Sequence, residues 1–315
     1  MTHVEKEKPS ALKKQDEPEL PPRRHHFAGA AAATLKKYAP VIPSKLYHYT
    51  SSEGLLGIIS NNNFRFSDSR FLNDGSENYT AQNIAALAIE SYRNDHPEVQ
   101  KEVGDRLLEA IREAVNTLIP VVFCMSSQNN LLNQWRDYGK DVVPYSLEVD
   151  VSSLYDNRIY DFPVYLVKVI YDATEMIAIC HDFFLGIHRA VNEIYPDGSP
   201  SPEEEDKLYE GAALEFVALS LSFKNPAFEA EQEWRLVTTT VDLRNQGVAR
   251  RYRSSNLGVV PYFQWGRKDG KSLPISLVTV GPSPYSRVSD LALKEFLDDN
   301  GYECETVFST IPIRR

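Results

Sequence analysis

Beyond about residue 44, hydrophobic and polar residues repeat with the periods of regular secondary structure. Alternation at 45–49 and at 64–67 predicts two strands, and leucines and isoleucines at helical spacing predict a helix over 51–60 between them. Further helices are predicted at 76–93, 97–118, 131–139, 174–195, 203–223 and 289–300. Further strands are predicted at 121–126, 145–149, 164–171, 233–240, 259–265, 277–280 and 303–307. Because the helices cluster and the strands are scattered without regular alternation, we expect an α+β fold.

The beginning of the chain has a different composition. Lys, Glu and Pro dominate residues 1–43, and almost no large hydrophobic side chain occurs before Phe27. Such a segment buries too little apolar surface to offset the entropy cost of ordering it. We therefore predict a disordered, charged tail over 1–43, with a short helix at 28–37, followed by a single α+β domain over 44–315.

Composition narrows the class of protein. The formal net charge of −10 argues against a protein that coats nucleic acid or an anionic membrane. The cysteines, Cys124, Cys180 and Cys304, lack the close spacing of a zinc or redox motif, so we expect a reducing, cytoplasmic location and no structural metal. No apolar run is long enough to span a bilayer, and no secretory signal is visible, so no membrane role is expected.

The first candidate for chemistry is His48, which lies between two tyrosines at the end of a predicted strand. Thr50 and Glu53 are predicted to form a capping box at the start of the following helix. A helix N-terminus favours phosphate and other anions, so this junction suits a phosphate-bearing ligand. The alternative is a half-buried histidine with a purely structural role.

A second candidate is the pair Glu231 and Glu233, which follows the break at Asn225-Pro226. If both lie on a strand, their side chains project from the same face, and two converging carboxylates can divide charge stabilisation and proton acceptance between them. The alternative is an exposed row of charge completed by Arg235. Trp234 is expected to point the other way, into the core.

A third candidate is the buried strand that ends at Ser126, together with the helix after it. A small hydroxyl at a strand end lets a ligand approach closely, and Trp135 and Tyr138 can stack on a flat ring. Packing into the core is the commoner use of such aromatic residues.

Read together, these segments resemble a known family, the bacterial proteins grouped as domain of unknown function 2971. The resemblance covers about residues 45–315. Its motifs are LYHYT (46–50), SDSRFLND (67–74), QWxxYG (134–139), FKxPxFxxExEWR (223–235), VGP (280–282) and IPxR (311–314). The family name carries no activity.

A more remote resemblance, to the ADP-ribosyltransferase superfamily, does imply an activity. It rests on a strand histidine followed by Tyr-Thr and a helix, a mid-chain strand ending in serine, and a late Glu-x-Glu. The resemblance implies a mixed or antiparallel split sheet with helical insertions, and NAD as the substrate. It makes Glu233 catalytic and Glu231 the residue that orients the acceptor. The residues that it implies for NAD binding are His48, Tyr49, Thr50, Ser126 and Tyr138.

The resemblance thus implies an enzyme that transfers ADP-ribose to a protein or nucleic-acid acceptor, or that hydrolyses NAD, without a metal. Such enzymes are often bacterial toxins or antiviral (phage-defence) effectors, so this role is an expectation here. One alternative is a non-catalytic nucleotide-binding or regulatory module. Another is a metal-dependent nuclease that uses Glu231 and Glu233 with a distant Asp, although the sequence shows no partnering Lys at the expected place.

Overall fold

The structure, a computed structural model, describes residues 26–38, 41–72, 76–97, 99, 101–138, 142–154, 159–162, 164–196, 198–255 and 257–312. The strands are β1 (Lys45–Thr50), β2 (Asn63–Asp68), β3 (Pro120–Ser126), β4 (Tyr145–Asp150), β5 (Tyr165–Lys168), β6 (Glu233–Thr239), β7 (Arg251–Ser255), β8 (Gly258–Gly266), β9 (Ile275–Val280) and β10 (Glu305–Phe308). The helices are α1 (Ala30–Lys37), α2 (Ser52–Asn61), α3 (Glu77–Asp95), α4 (Lys101–Thr117), α5 (Leu132–Asp137), α6 (Ala173–Ile194), α7 (Pro202–Ser220), α8 (Thr240–Asn245) and α9 (Ser286–Asp299).

The strands form one open, mixed sheet that branches at β3. Its main path runs β10-β9-β4-β1-β3-β2-β8-β7, and β6 joins β3 and carries β5 on its far side. Only β9 and β10 are parallel among the paired strands described. The chain is therefore α+β with a mixed sheet, as the pattern of elements predicted.

The branch leaves a gap in the sheet. β6 pairs with β3 along its whole length, so β1 and β2 must share the opposite edge of β3. β2 takes the beginning of that edge, where Ser67 faces Val122, and β1 takes its end, where Tyr47 faces Ser126. The edge of β3 between those two pairings is the sheet split, and it lies beside Phe123 and Cys124.

Helix α2 connects the two strands that flank the sheet split. It begins after Ser51, whose hydroxyl accepts a hydrogen bond from the Gly54 amide, so the predicted capping box on Thr50 and Glu53 is wrong by one residue at the cap. Asn62 ends the helix in the left-handed conformation that asparagine tolerates. Leu55 and Ile58 then pack into the sheet's main core.

A second layer is helical. Buried apolar residues of α3, α4, α6 and α7 form a core of their own, separate from the core on the other side of the sheet. Helix α1 also packs against this layer, with Phe27 and Ala31 each only 4% exposed. The helix predicted at 28–37 within the tail is therefore present as α1, and the apolar side chains of Phe27 and Ala31 pack it against this layer. Residues 1–25 of the predicted tail lie outside the described residues.

Most predicted elements match observed ones within a few residues. Strand β7 and helix α8 had no predicted counterpart, and the predicted strand at 164–171 shortens to β5. Residues 73–75, where the sequence Asn-Asp-Gly is typical of a turn, lie outside the described residues. Within the described ranges, none of the helices is long and apolar enough to cross a membrane.

Candidate functional site

A small cavity lies against the sheet split. Its volume is about 40 Å³, enough for a few water molecules or one hydroxyl-bearing edge of a ligand. Strands β1, β3 and β6, helix α5 and the segment before β6 all contribute walls. The lining residues are Tyr47, His48, Tyr49, Cys124, Met125, Gln134, Tyr138, Glu231 and Glu233.

His48 fills part of the sheet split. The backbone pairing of β1 with β3 ends at Tyr47, and the imidazole takes over, with Nδ1 2.8 Å from the carbonyl oxygen of Cys124. Its ring also stacks on Phe123, with centroids 4.2 Å apart. Because a carbonyl oxygen only accepts, Nδ1 carries the proton, and Nε2 of the neutral ring is left as a hydrogen-bond acceptor.

The charge of His48 follows from its surroundings. Burial lowers the pKa of its imidazole to about 4, the hydrogen bond to Cys124 opposes this, and the nearby Arg253 lowers it further. The ring is therefore neutral at physiological pH. A neutral acceptor suits a ligand hydroxyl better than a phosphate. The sequence predicted a phosphate-bearing ligand at this junction, and His48 itself is suited to a hydroxyl of such a ligand.

The two glutamates converge by a different route from the predicted one. Glu231 is the last residue of a 3₁₀ helix, Pro226–Glu231, and β6 starts only at Glu233. Gln232, between them, has φ 49°, the left-handed conformation. This turn, rather than strand alternation, directs both carboxylates to one place. Trp234 points into the main core, as expected.

Both carboxylates are buried in a network of opposite charges. Lys224 Nζ donates to Glu231 Oε2 at 2.6 Å and to Glu233 Oε2 at 2.7 Å. Arg235 Nε donates to Glu233 Oε1 at 2.8 Å, and its guanidinium also bonds Glu77 at the start of α3. Glu77, Lys224, Glu231, Glu233 and Arg235 together form what we call the carboxylate cluster.

The burial of these side chains contradicts the alternative interpretation of the segment as an exposed row of charge. Glu231 is 3% exposed, Glu233 4% and Arg235 1%, so the row is not a solvated edge. The lysine that the sequence did not place is Lys224. It stands seven residues before Glu231 and meets it because the Asn225-Pro226 break turns the chain back.

The cluster fixes the ionisation of Glu233 and of Lys224. Burial alone raises the pKa of Glu233, but the cations of Arg235 and Lys224 outweigh it and lower that pKa to about 2. Burial works against the ammonium of Lys224, and the two carboxylates raise its pKa nonetheless. Glu233 is therefore a carboxylate and Lys224 a cation at any ordinary pH.

Two further groups border the carboxylates. The Tyr138 hydroxyl donates to Glu231 Oε1 at 3.3 Å, and burial together with Glu231 raises the pKa of that phenol. Burial and the neighbouring Glu233 also raise the pKa of Cys124, so its sulfur is a thiol rather than a thiolate. Neither group is an anion that could attack a ligand.

The remaining predicted residues have supporting positions. The Ser126 hydroxyl donates to the carbonyl of Glu231 at 2.8 Å and accepts from the Gln128 amide, so it holds the turn without lining the cavity. The Tyr49 ring lines the cavity, but its hydroxyl bonds Gln128 and Leu131. Thr50 is buried and does not line the cavity.

The structure thus brings together five of the residues predicted for NAD binding and catalysis: His48, Tyr49, Tyr138, Glu231 and Glu233. Sequence reasoning missed four lining residues, Tyr47, Cys124, Met125 and Gln134, and also Lys224 behind the lining. The walls offer acceptors on both sides, the Nε2 of His48 and the carboxyl oxygens of Glu231 and Glu233. Such a set binds hydroxyl groups and stabilises positive charge.

Residues 134–236 match a family model described as "Protein of unknown function (DUF2971)", so this part of the chain is similar to that family. The match supports the resemblance drawn from the motifs. It contains the carboxylate cluster except Glu77, together with Tyr138, and it does not reach His48. No curated protein and no solved structure matches the chain significantly.

Proposed function

We propose that this cleft binds NAD as a substrate, cleaves its bond between nicotinamide and ribose, and transfers ADP-ribose to a protein, a nucleic acid or water. One observation carries the proposal. His48 on the first strand and Glu233, 185 residues later in the chain, line one cavity where the sheet splits. The finer expectation, a sheet of the ADP-ribosyltransferase type, is part of the same proposal.

The ribose is the part of NAD that the cavity suits. Pockets that enclose a whole drug-sized ligand measure about 300 Å³ or more, so this cavity takes one edge of the molecule and the rest lies across the sheet split. The Nε2 of His48 accepts a hydrogen bond from one ribose hydroxyl. Glu233 accepts one from the other side, which holds the sugar with its reactive carbon toward the carboxylates.

The reaction then needs little from the protein beyond charge and position. The glycosidic bond breaks and nicotinamide leaves as a neutral base with the electron pair. The cation that develops on the ribose is stabilised by the Glu233 carboxylate, as in glycoside cleavage. The acceptor atom bonds the ribose carbon, and its proton passes to Glu231, which loses it to water after the product leaves, and the positive charge of Lys224 favours this return to the carboxylate.

The test is nicotinamide release from NAD by the purified protein. In Glu233→Gln the amide keeps the size of the side chain and loses its charge, so turnover should fall by at least about 100-fold. Glu229→Gln is the matched control, because Glu229 is an exposed glutamate on the same segment. It should leave turnover unchanged. Thermal unfolding of both variants shows whether the fold is retained.

Adenylate-labelled NAD separates the possible acceptors. Label on protein or nucleic acid indicates transfer, and free ADP-ribose indicates hydrolysis. Wild-type protein that binds NAD and releases no nicotinamide would instead be a non-catalytic module, and the proposal would fall.

A nuclease is the other enzyme class worth testing, because Lys224 supplies the lysine that the sequence did not place. Lys224 and Arg235 occupy carboxylate oxygens that a metal would need. In the part of the chain that the structure describes, no cluster of three or more metal-binding side chains is arranged to hold an ion. Cleavage of RNA or DNA that requires added Mg²⁺ would favour this alternative over NAD chemistry.

A further inference from the structure

Two arginines lie on the other flank of the sheet split. Arg65 is on β2 and Arg253 on β7, with β8 between them. Ser67 of β2 faces Tyr262 of β8, and the strand register places both on the same side of the sheet as the arginines. Arg65 stacks over the Tyr262 ring at 5.4 Å, and Arg253 reaches across to the Ser67 hydroxyl at 3.2 Å. We call Arg65 and Arg253 the arginine pair.

The arginine pair has no salt-bridge partner among the described residues. Within the described part of the chain, no carboxylate oxygen lies within 4.0 Å of either guanidinium. The Nε atom of each is buried and has no hydrogen-bond partner. Burial and the neighbouring Arg65 lower the pKa of Arg253, and Glu53 only partly offsets this. Buried donors of this kind cost stability unless something outside the chain satisfies them.

Helix α2 has a glycine, Gly57, where it contacts the Arg65 side chain. A Cβ on Gly57 would lie 1.6 Å from a terminal nitrogen of Arg65, so the guanidinium occupies the place of the missing side chain. A glycine inside a helix lowers its stability by about 1 kcal/mol relative to alanine. Gly57 therefore weakens α2 but leaves space for the Arg65 guanidinium.

We propose that the arginine pair binds the diphosphate of the dinucleotide whose ribose meets His48 and Glu233. Guanidinium forks match phosphate oxygens in charge and geometry, and two neighbouring forks that no described carboxylate pairs suit two linked phosphates. The inference rests on the proposed function for the identity of the ligand. That the ligand carries phosphate is inferred from the arginines alone.

Position favours this ligand. Ser67, which holds Arg253, faces Val122 on β3, and His48 bonds the carbonyl of Cys124, two residues further along the same strand. Two strand residues span about 7 Å, which is of the order of the separation between the hydroxyls of a ribose and its 5′-phosphate. One bound molecule can therefore reach both sites.

Titration calorimetry with ADP, and with adenosine as the phosphate-free ligand, tests the inference. Arg65→Gln and Arg253→Gln should each weaken ADP binding by at least about tenfold and leave adenosine unaffected. The matched control is Arg251→Gln, because Arg251 is an exposed arginine on the same strand. It removes the same charge and should change ADP affinity less than twofold.

Gly57→Ala keeps every charge and moves Arg65 aside. It should weaken ADP binding while α2 keeps or gains stability, which a variant that merely unfolds cannot do. If the arginines bind only the phosphates of ADP, inorganic pyrophosphate should compete with ADP.

Several results would overturn the inference. They are an absence of ADP binding by the wild-type protein, unchanged affinity in both arginine variants, or an equal loss in Arg251→Gln. The proposed function fails separately, through absent nicotinamide release from a protein that still binds ADP through the arginine pair. If turnover is present but the Michaelis constant for NAD is the same in both arginine variants, the function stands and this inference falls.

Discussion

The two flanks of the sheet split carry charge in opposite ways. On one flank, each carboxylate of Glu231 and Glu233 contacts a cation of the carboxylate cluster, at distances of 2.6–2.8 Å. On the other flank, Arg65 and Arg253 repel each other, and their buried Nε–H groups find no acceptor among the residues that the structure describes. Burial is costly for both sets, but only the first offsets that cost within the chain. The difference indicates that the carboxylate cluster is part of the folded framework and that the arginine pair awaits an external anion.

Among the predicted changes in stability, removal of Lys224 should have the largest effect, and it tests whether the carboxylate cluster is part of the folded framework. Lys224→Met leaves Glu231 and Glu233 facing each other without their shared cation, and an orphaned buried charge typically costs about 3–5 kcal/mol. We expect a loss of that size in the free energy of unfolding, measured by urea denaturation.

Lys207 provides the control for that measurement. It pairs with Glu203 on the surface of α7 at 2.7 Å, and both side chains are more than half exposed. Solvent screens an exposed pair of this kind, so Lys207→Met should leave the free energy of unfolding nearly unchanged. Equal losses in the two variants would show that the carboxylate cluster is not the framework inferred here.

A second, smaller effect concerns His48 and pH. Its pKa is about 4 in the folded protein, below the 6.5 of a free histidine, so folding favours the neutral ring. The stability that this contributes is complete above about pH 6.5 and is lost as pH falls through 4, by at most about 3 kcal/mol. His48→Gln should flatten the stability curve in that window.

The same titration predicts the pH dependence of NAD cleavage. Protonation of Nε2 removes the acceptor for the ribose, so activity should stay level down to about pH 5 and fall with a midpoint near 4. Glu233 stays ionised through this window, because the adjacent cations lower its pKa to about 2. A midpoint near 6.5 would mean that His48 is solvated and not held in the sheet split.

Around the sheet split, the sequence predicted the secondary structure better than it predicted the chemistry of the site. Alternating residues around His48 and the apolar face of α2 define β1, α2 and β2, because local periodicity determines which side each residue buries. The convergence of Glu231 and Glu233 was also foreseen, but for the wrong reason. It depends on a left-handed Gln232, which a strand pattern does not reveal.

The residues that sequence reasoning missed are those whose role depends on tertiary contacts. Lys224 acquires its role only when the chain reverses at Pro226, and Arg253 lies on β7, an exposed strand without clear alternation. Residues 250–253 read Arg-Arg-Tyr-Arg, yet nothing local in this basic stretch indicates that one of its arginines lies beside Arg65. Spacing along the chain cannot report which cations find partners and which do not.

The smallest predicted effect tests the other half of the comparison, in the absence of any ligand. Arg65→Met removes an unpaired, desolvated cation and keeps most of its apolar stem, so the repulsion of Arg253 disappears. We expect the free energy of unfolding to change by no more than about 1 kcal/mol, with a gain as the favoured direction. Adding ADP should reverse the order, because ligand bound to the folded state stabilises the wild-type protein and not the variant. If Arg65→Met instead destabilises the ligand-free protein as much as Lys224→Met does, the two flanks are alike and the arginine pair is structural.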